Sequence, residues 1–539
     1  MKKKEPTGPI KKLILHFDIN KTLLIFDSEK KNLDKDTQFN RLMASYAWGK
    51  LEQKDENSPW VWKLVHNHFI AQPPEENCIS YKDYILHHHE PSKKLTEEQE
   101  PNEQVRNKYN AEQEAVKNEL INNMIKPGNP CIKLKPEYER INKGISLPKL
   151  VDLECKDIIN KFRADADKTQ QREQNIYDDK KTMYELFEGG KYHILPQFYK
   201  MMMSLKKQKK EFAIVFRTFG SDLPNVITEF NKFVTGEHPC YCGRNNTPIV
   251  RFDGTKGTKN FVINQEHTGL FYRNGNDIEE TTLITGTFQR KQQLPEQSLE
   301  ELYEKEIEEE SVQINKGAQQ IHVQIQELLQ ERCVLALQDD YQNWHKHNKI
   351  SDKSKLLIVD PSDYYTQHIF FDDNITDDHE SCADVREVLN GNIITQKDAL
   401  GKYTVKVDLI DVLKEPDFFM KQIDACEKIR QQEIENIEKG INQEFEQEQS
   451  IKKSDFEILQ EQTDSEYLKK TVIPLLHPAL KLVDIERPVD PISFIALYCL
   501  KNQHRVRIPQ PPEGFFDKKE PEEDQENLQE NDEQDKEQE

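Results

Sequence analysis

Short apolar runs that end in polar or acidic residues recur along this chain. Examples are LILHFDINKTLLIF at 13–26, EFAIVFRTFGSD at 211–222, KLLIVD at 355–360 and QHIFFDDNI at 367–375. Runs of this length that alternate little are typical of strands covered on both faces, as in a parallel sheet. Helical stretches such as LPQFYKMMMSLKKQKK separate them. Strands that alternate with helices predict an α/β fold.

The stretch between the first two strands, residues 35–189, has a different pattern. Helical segments such as RLMASYAWGKLEQ and NEQVRNKYNAEQEAVKNELINNMI alternate with proline-bearing loops. This pattern predicts a helical insertion that splits the α/β domain into residues 11–34 and 190–410. Within the second part, short β-type runs around Gly and Asn-Gly turns at 248–288 predict a hairpin.

The composition changes again beyond residue 410. Residues 411–463 are almost all helix formers with many charges, which predicts a charged helical linker, whereas residues 464–505 form a compact apolar segment. The two ends differ in charge. We expect a basic tail at 1–10 and an acidic, Gln-rich, disordered tail at 506–539.

The apolar segment predicts two helices. The first places apolar residues at i, i+3, i+4 and i+7 spacing, and the second begins with Asp490 as N-cap followed by Pro491. The apolar positions are Val472, Leu475, Leu476, Ala479, Leu482 and Val483 in the first helix and Ile492, Ile495, Ala496 and Cys499 in the second. Self-association into a four-helix bundle would bury this surface and leave a groove for a partner's amphipathic helix. The alternative is an ordinary helical hairpin packed on the main domain.

Composition narrows the classes of function. A chain of 539 residues is too long for one hydrophobic core, so we expect two or three folded units. A net charge of -22 argues against a nucleic-acid-binding or membrane-surface protein, and no apolar run approaches the roughly 20 residues of a membrane helix. The nine cysteines are scattered, which favours free thiols in a reducing compartment such as the cytoplasm.

Acidic residues end two of the predicted strands. Asp18 ends the first, and Asp372 and Asp373 end QHIFFDDNI. The carboxyl ends of parallel strands meet at one edge of a sheet, so these carboxylates should converge, and a Mg²⁺ ion between them would relieve their repulsion. Thr218, which ends another strand, would add a hydroxyl suited to a phosphoryl oxygen. The alternative is local, because Asp and Asn after a strand often cap the next helix or form an acidic turn.

Together these motifs resemble the haloacid-dehalogenase-like (HAD-like) superfamily. The first motif of that family is a strand followed by Asp-x-Asp-x-Thr, here DINKT at 18–22. The second is a strand that ends in Thr or Ser, here Thr218, and the fourth is a strand that ends in two acids, here FFDDNITD. The resemblance covers roughly residues 11–400. It implies a Rossmann-type parallel sheet in which residues 35–189 take the place of a cap domain.

The resemblance also implies roles for single residues. Asp18 would be the nucleophile that attacks phosphorus and forms an aspartyl phosphate. The implied Mg²⁺ ligands are Asp18, the backbone carbonyl of Asn20, and Asp373 together with Asp372 or Asp377. The residues implied to hold the phosphoryl group are Thr218, Arg217 and, as the third motif, Lys355, with Lys349 and Lys346 as alternatives.

Asn20 departs from the family pattern. In phosphatases of this group, an acid at that position protonates the leaving oxygen and then activates water, and an amide does neither at neutral pH. General acid–base catalysis contributes about 10²–10⁴ in rate. We therefore expect Mg²⁺-dependent phosphatase turnover to be weak or absent.

The C-terminal sequence, TVIPLL followed by ERPVDPISFIALYCLKN, resembles the Dumpy-30 (Dpy-30) motif. That motif is a helix–loop–helix dimerisation and docking module related to the docking domain of the protein kinase A regulatory subunit. His477-Pro478 departs from it, because a proline there should kink or shorten the first helix. The resemblance implies an adaptor, since such modules occur in axonemes of motile cilia, including radial spokes, and in histone-methyltransferase complexes.

One main hypothesis and two alternatives follow. The main hypothesis is a radial-spoke-like adaptor of the motile-cilium axoneme, a part of the cytoskeleton, carrying a HAD-like domain with weak or no phosphatase activity. It would form a homodimer or heterodimer through 464–505 and bind an amphipathic helix of a ciliary scaffold protein. The first alternative is an active Mg²⁺-dependent phosphohydrolase or phosphotransferase docked to the same assembly. The second is a nuclear chromatin-complex adaptor. No nucleic-acid or membrane partner is expected.

Overall fold

The computed structural model of the chain describes residues 12–26, 33–53, 55, 58–89, 95–96, 98–166, 184–273, 278–293, 297–363, 365–448, 459 and 462–506. The predicted basic tail at 1–10 and all but the first residue of the predicted acidic tail at 506–539 lie outside these residues. Two compact units make up the chain, Met1–Gln432 and Glu433–Glu539. None of the helices within the described residues is both long and apolar enough to cross a membrane.

The first unit is built on a large central sheet. The strands of the described residues are β1 (Lys12–Asp18), β2 (Trp48–Glu52), β3 (Val61–Leu64), β4 (Ile79–Ser80), β5 (Glu211–Thr218), β6 (Thr268–Arg273), β7 (Thr281–Thr285), β8 (Gln313–Lys316), β9 (Val334–Gln338), β10 (Lys355–Val359), β11 (Thr366–Asp372), β12 (Ala383–Glu387) and β13 (Thr404–Lys406). The central sheet has the order β13-β11-β1-β5-β9-β6-β7-β8. Neighbours from β13 to β6 pair in parallel, whereas β7 pairs antiparallel with β6 and β8. The prediction of an α/β fold with a mostly parallel sheet is therefore confirmed.

Helices connect these strands and continue into the second unit. They are α1 (Lys35–Ser45), α2 (Tyr81–Asp83), α3 (Glu103–Asn122), α4 (Lys135–Ile145), α5 (Lys149–Ala166), α6 (Pro196–Lys207), α7 (Leu223–Thr235), α8 (Leu299–Leu302), α9 (Glu304–Glu308), α10 (Ala318–Glu331), α11 (Tyr341–Lys346), α12 (Gln396–Ala399), α13 (Leu409–Lys414), α14 (Phe418–Glu448), α15 (Asp464–Thr471), α16 (Ile473–Glu486) and α17 (Pro491–Asn502). The predicted hairpin within 248–288 is present as β6 and β7. KLLIVD forms β10, which pairs with β12 in a separate two-stranded sheet.

Helix α7, which follows β5, illustrates how the sequence sets local structure. Pro224 lies in its first turn, and Gly236 ends it in the left-handed conformation at φ 77°, where a residue without Cβ is favoured. Val226, Phe230 and Phe233 recur at helical spacing and are fully buried. This apolar face packs α7 against the sheet, where the rings of Phe230 and Phe216 of β5 lie 5.0 Å apart.

The core of the first unit is centred on β1. Phe17 of β1 stacks on Phe371 of β11 with 4.8 Å between ring centroids, while Phe198 of α6 and Phe419 of α14 meet Phe17 edge-on. Residues from both faces of β1 are buried, which is the physical reason for its unbroken apolar run.

The start of α14 belongs to this core. Phe418, Phe419, Ile423 and Cys426 are all buried. The prediction of a solvated linker over 411–463 is therefore wrong for this part, because charged residues on the outer face outnumber and conceal a narrow apolar stripe. Residues 449–458 of the predicted linker lie outside the described residues.

The segment 35–189 is not purely helical. β2 pairs antiparallel with β3 and β4 in a three-stranded sheet. The stretch RLMASYAWGKLEQ, expected as one helix, divides into α1 and β2. Gly49 allows this, because a Cβ there would lie 2.4 Å from a ring carbon of the buried Trp62. The prediction of a helical insertion is thus wrong for 48–80, where aromatic residues and glycine favour paired strands. Residues 167–183 lie outside the described part.

Candidate functional site

The carboxyl end of β1 lies between two other strand ends. β1 pairs in parallel with β5 on one side and β11 on the other, with Asp18 in register with Arg217. Asp18 and Asp372 are buried, and Asp373 follows at the end of β11. One carboxylate oxygen from each of the three acids lies within 4.8 Å of the others. The acids that the sequence places at strand ends are therefore brought together by the parallel pairing.

Lys355, the first residue of β10, reaches this acidic group. Its Nζ donates to Asp18 Oδ1 at 2.5 Å and to Asp372 Oδ2 at 2.7 Å, and its side chain is only 2% exposed. Burial alone would lower the pKa of Lys355, but the charges of Asp18 and Asp372 raise it well above its usual value. Lys355 is therefore a fixed buried cation, whereas the two alternative lysines, Lys346 and Lys349, are exposed.

One ammonium does not balance three carboxylates. Burial raises the pKa of Asp18 well above its usual range; Lys355 opposes this shift, and Asp372 and Asp373 add to it. Burial likewise raises the pKa of Asp373 to about 6, assisted by Asp372 and opposed by Lys21, whose Nζ lies 3.4 Å from Asp373 Oδ2. An excess of negative charge on convergent carboxylates is the donor set that a hard divalent cation prefers.

Asn20 and Thr218 lie on the rim of the same crevice. Asn20 Nδ2 donates to Asp222 Oδ2 at 2.9 Å, and Thr218 Oγ1 accepts the Gly220 backbone N–H at 2.9 Å. A Cβ at Gly220 would lie 3.2 Å from Asn20 Nδ2 and 3.5 Å from both Asp222 Oδ2 and Thr218 Oγ1. Asp222 is a buried acid that sequence reasoning missed. The only signal was its place at the end of FRTFGSD, four residues after Thr218.

Arg217 does not face this crevice as a phosphate clamp. Its Nε and one terminal nitrogen donate to the two carboxylate oxygens of Asp339 at 3.0 and 2.5 Å, and the other terminal nitrogen donates to the Leu356 carbonyl at 3.0 Å. Its guanidinium also lies over the rings of Phe271 and Phe370. These contacts hold Arg217 against Asp339 and the Leu356 carbonyl in the buried core. The prediction of Arg217 as a phosphate ligand is therefore not supported.

Asp377 is also absent from the acidic group. Its side chain is exposed, and the convergent oxygens in the described residues at this end of the sheet come from Asp18, Asp372 and Asp373. The prediction of Asp377 as a metal ligand is therefore not supported. Asp372 takes that place because it is the last residue of β11 and is held by the ladder.

The second unit has a different surface. α16 and α17 lie next to each other in the chain, and Asp490 caps α17 by accepting the Ser493 N–H at 3.1 Å. α16 continues through Pro478 to Glu486, so the proline does not shorten it as the sequence suggested. Of the apolar positions predicted for docking, Ala479 is buried, Leu475, Leu476, Leu482, Val483, Ile495 and Cys499 are half-buried, and Val472, Ile492 and Ala496 are exposed.

Several exposed apolar side chains lie on α17 or just before it. Ile492 is 80% exposed and Leu497 is 67% exposed, and Val489, just before the helix, is fully exposed. Apolar side chains concentrated on one small unit are typical of an interaction surface.

Residues 463–504 match the Dpy-30 motif. No solved structure matches the chain. The match begins at Thr463, which caps α15 by accepting the Glu466 N–H, and ends two residues beyond α17. The prediction of a Dpy-30 motif is therefore confirmed, and its exposed apolar face agrees with the dimerisation and docking role of such motifs. We call residues 463–504 the Dpy-30 module.

Proposed function

We propose that this chain is a dimeric docking adaptor whose Dpy-30 module carries the protein into a larger assembly. The observation that supports this function is the exposed apolar face of α17, which a second copy would cover in a four-helix bundle. Burial of that face on association is favourable because apolar surface leaves water. The groove between paired modules would then accept an amphipathic helix of the partner.

The proposed assembly is the axoneme of a motile cilium, with a ciliary scaffold protein providing the helix. This choice rests on the resemblance of the Dpy-30 module and on the net charge of -22, which disfavours a chromatin partner with its anionic nucleic acid. A nuclear chromatin-complex adaptor is the competing assembly.

The oligomeric state of the full chain tests the first step. Light scattering coupled to size exclusion should report a dimer for wild type. Ile492→Glu places a charge on the exposed apolar face and should weaken the dimer by at least about 30-fold, as for a central interface residue. Lys501→Glu, on the same helix but outside the apolar positions, is the matched control and should remain dimeric. A monomeric wild type, or equal effects of both substitutions, would refute the adaptor proposal.

Localisation tests the second step. Full-length wild type and Lys501→Glu should be found along cilia, whereas Ile492→Glu should be diffuse in the cytoplasm. Nuclear wild-type protein that co-purifies with methyltransferase subunits would instead support the chromatin assembly and overturn the ciliary one.

A second function is favoured by the acidic group of the first unit, namely binding or slow transfer of a phosphoryl group with Mg²⁺. Asp18, Asp372 and Asp373 would hold the ion, which would supply charge neutralisation for a phosphoryl oxygen. The position of Asp18 at the end of β1, between the strands that end in Thr218 and Asp372, supports the HAD-like interpretation.

In this second function each residue has a definite task. Asp18 would attack phosphorus through its second carboxylate oxygen, while Lys355 holds the first one. The aspartyl phosphate would form as the bond between phosphorus and the ester oxygen breaks, and the leaving oxygen would take its proton from water. The ammonium of Lys355 would stabilise the negative charge that develops on the transferred group. Thr218 would position a phosphoryl oxygen with its hydroxyl. Asn20 donates to Asp222 and cannot shuttle a proton, so hydrolysis of an aspartyl phosphate would be slow.

Phosphate release from phosphomonoesters and acetyl phosphate, measured with and without Mg²⁺, tests this function. Asp18→Asn should abolish any release, and Asn20→Asp should raise it by about 10²–10⁴. Asp377→Asn, on the exposed part of the same loop, is the matched control and should behave as wild type. The phosphoryl-transfer function is refuted by two results together. Neither wild type nor Asn20→Asp releases phosphate, and acetyl phosphate does not phosphorylate Asp18.

A further inference from the structure

A second cluster of potential ligands lies on elements that take no part in the acidic crevice. Glu266 and His267 belong to a 3₁₀ turn, Gln265–His267, immediately before β6, and Glu331 ends α10. One oxygen of each glutamate and one ring nitrogen of His267 lie within 4.8 Å of one another. Sequence reasoning did not single out these residues because Glu331 is far from Glu266 and His267 in the chain.

Asn264 orients two of the three side chains. Its Oδ1 accepts the backbone N–H of His267 at 3.3 Å and lies 2.5 Å from the Nδ1 atom of the same residue. Because that oxygen is an acceptor, Nδ1 must carry the ring proton and donate it. The amide nitrogen of the same side chain, Asn264 Nδ2, donates to Glu266 Oε2 at 3.1 Å. A carbonyl or amide that fixes the tautomer of a histidine in this way is the usual support of a metal ligand.

The remaining ring nitrogen, Nε2, then carries a lone pair that could accept a hydrogen bond. His267 is fully buried, and its Nε2 has no hydrogen-bond partner among the described residues. The nearest acid is Glu331, whose Oε2 lies 4.0 Å away. The carbonyl of Leu328 also faces the ring, but a carbonyl oxygen only accepts hydrogen bonds and cannot pair with a nitrogen lone pair. A buried nitrogen left unpaired is unfavourable, and it requires an explanation.

A cavity with acidic side chains lies beside the cluster of Glu266, His267 and Glu331. A cavity of about 370 Å³ opens beside the cluster and is lined by Glu266, Glu310, Glu327 and Glu331. Glu331 lies at the C-terminal end of α10, where the partial negative charge of the helix disfavours a carboxylate. The guanidinium of Arg332 lies beside this carboxylate, with its Nε 3.9 Å from Glu331 Oε1.

We propose that Glu266, His267 and Glu331 form a binding site for a divalent transition metal of the zinc class, with water in the open position. An imidazole ligand favours such a metal over Mg²⁺ or Ca²⁺, which prefer oxygen ligands alone. Three protein ligands and one open position are the arrangement of a solvent-accessible zinc site. Tetrahedral ligands at zinc lie roughly 3.3 Å apart, so the two exposed glutamates would close on Nε2 when the ion binds.

Equilibrium dialysis of the full-length chain against buffered Zn²⁺ tests this site. Glu331→Gln should lose one tightly bound zinc equivalent, with affinity at that site falling at least tenfold. Glu327→Gln removes the same charge one turn earlier on the same exposed face of α10 and should lose no equivalent. Other zinc-binding groups of the chain are the same in both variants, so the difference reports this site.

Two further measurements separate ligation from folding. Asn264→Ala should weaken zinc binding about 10–100-fold, as expected of a positioning residue. The metal-free melting temperatures of Glu331→Gln and Glu327→Gln should equal that of wild type. Bound Co²⁺ should show the intense visible absorption of a low-symmetry four-coordinate site in wild type, and this signal should vanish in Glu331→Gln. Equal zinc content in Glu331→Gln and wild type, or an equal loss in Glu327→Gln, would overturn the proposal.

Discussion

Lys355 donates a hydrogen bond of 2.5 Å to Asp18, although the two residues are 337 positions apart in the chain. The same ammonium reaches Asp372 at 2.7 Å. Lys355 lies on β10, which is not a strand of the central sheet, so packing of the smaller sheet against the larger one creates this contact. The crevice is thereby held together by charge as well as by the apolar core.

Lys355→Met should destabilise the first unit by about 3–5 kcal/mol, because it leaves Asp18 and Asp372 buried without their cation. Urea denaturation followed by tryptophan fluorescence measures this loss. Mg²⁺ should restore more stability to the variant than to wild type, since it would replace the missing positive charge.

Lys21→Met is the matched control for this change. Its ammonium lies 3.4 Å from Asp373 but is largely exposed, and exposed ion pairs contribute less than about 1 kcal/mol. Similar losses in the two variants would contradict the buried role of Lys355.

Arg217→Met should also destabilise the protein by about 3–5 kcal/mol, because Asp339 would be buried without its partner. The double variant Arg217→Met with Asp339→Leu should recover most of this loss, since two apolar side chains replace a buried pair. A double-mutant cycle by denaturation gives the coupling energy. If Arg217 instead held a phosphoryl group, Arg217→Met would weaken phosphate-analogue binding, and the double variant would not restore it.

The buried pair His16 and His368 should make the protein acid-sensitive. Burial lowers the pKa of His368 to about 3, and His322 and Lys12 add to the effect. In the unfolded chain the imidazole binds a proton below its ordinary pKa of about 6.5. The unfolded state therefore binds more protons between these two values, and stability falls as the pH falls.

His368→Phe tests this. Between pH 7 and pH 5 wild type should lose about 2 kcal/mol more stability than the variant, although the variant is less stable at pH 7 because His16 Nε2 loses its partner at 3.1 Å. Denaturation at several pH values gives both slopes. His379→Phe, a change at an exposed histidine, is the control and should keep the wild-type slope; equal slopes for His368→Phe and wild type would contradict the prediction.

Pro478→Ala should stabilise α16 locally by about 1–3 kcal/mol, because the alanine N–H can bond the Pro474 carbonyl. Hydrogen–deuterium exchange of the full chain should show slower exchange over 473–486. His477→Ala, which changes helix propensity alone, should gain less than about 0.7 kcal/mol. Equal protection in the two variants would mean that the chain already accommodates the proline.

The helical insertion and the charged linker show where sequence patterns fail. RLMASYAWGKLEQ has helical spacing, yet Trp48 begins β2 because pairing with β3 and β4 outweighs its local preference. In α14, Phe418 and Phe419 are buried although the helix is highly charged. Both errors arise because tertiary packing, and not the local sequence, decides which neighbour a side chain meets.

The acidic site at the end of β1 was also predictable only in part. Asp18, Thr218 and Asp372 end apolar runs, and parallel pairing of strands is enough to bring strand ends together. The sequence contained no comparable signal for the partner of Arg217, the hydrogen bond between Asn20 and Asp222, or the ligand cluster around His267. Each of these joins residues from elements that become neighbours only on folding.

The sequence by itself determined the α/β class, the strand-end acids and the Dpy-30 module, because these depend on short-range periodicity and on residues close together in the chain. The tertiary structure alone decided that Lys355 is the buried cation, that Arg217 points to Asp339, and that the apolar side chains of α17 remain uncovered in one chain. The physical reason is that charge balance and burial are properties of three-dimensional neighbours. Those neighbours are fixed by strand order and packing, over separations that no local pattern records.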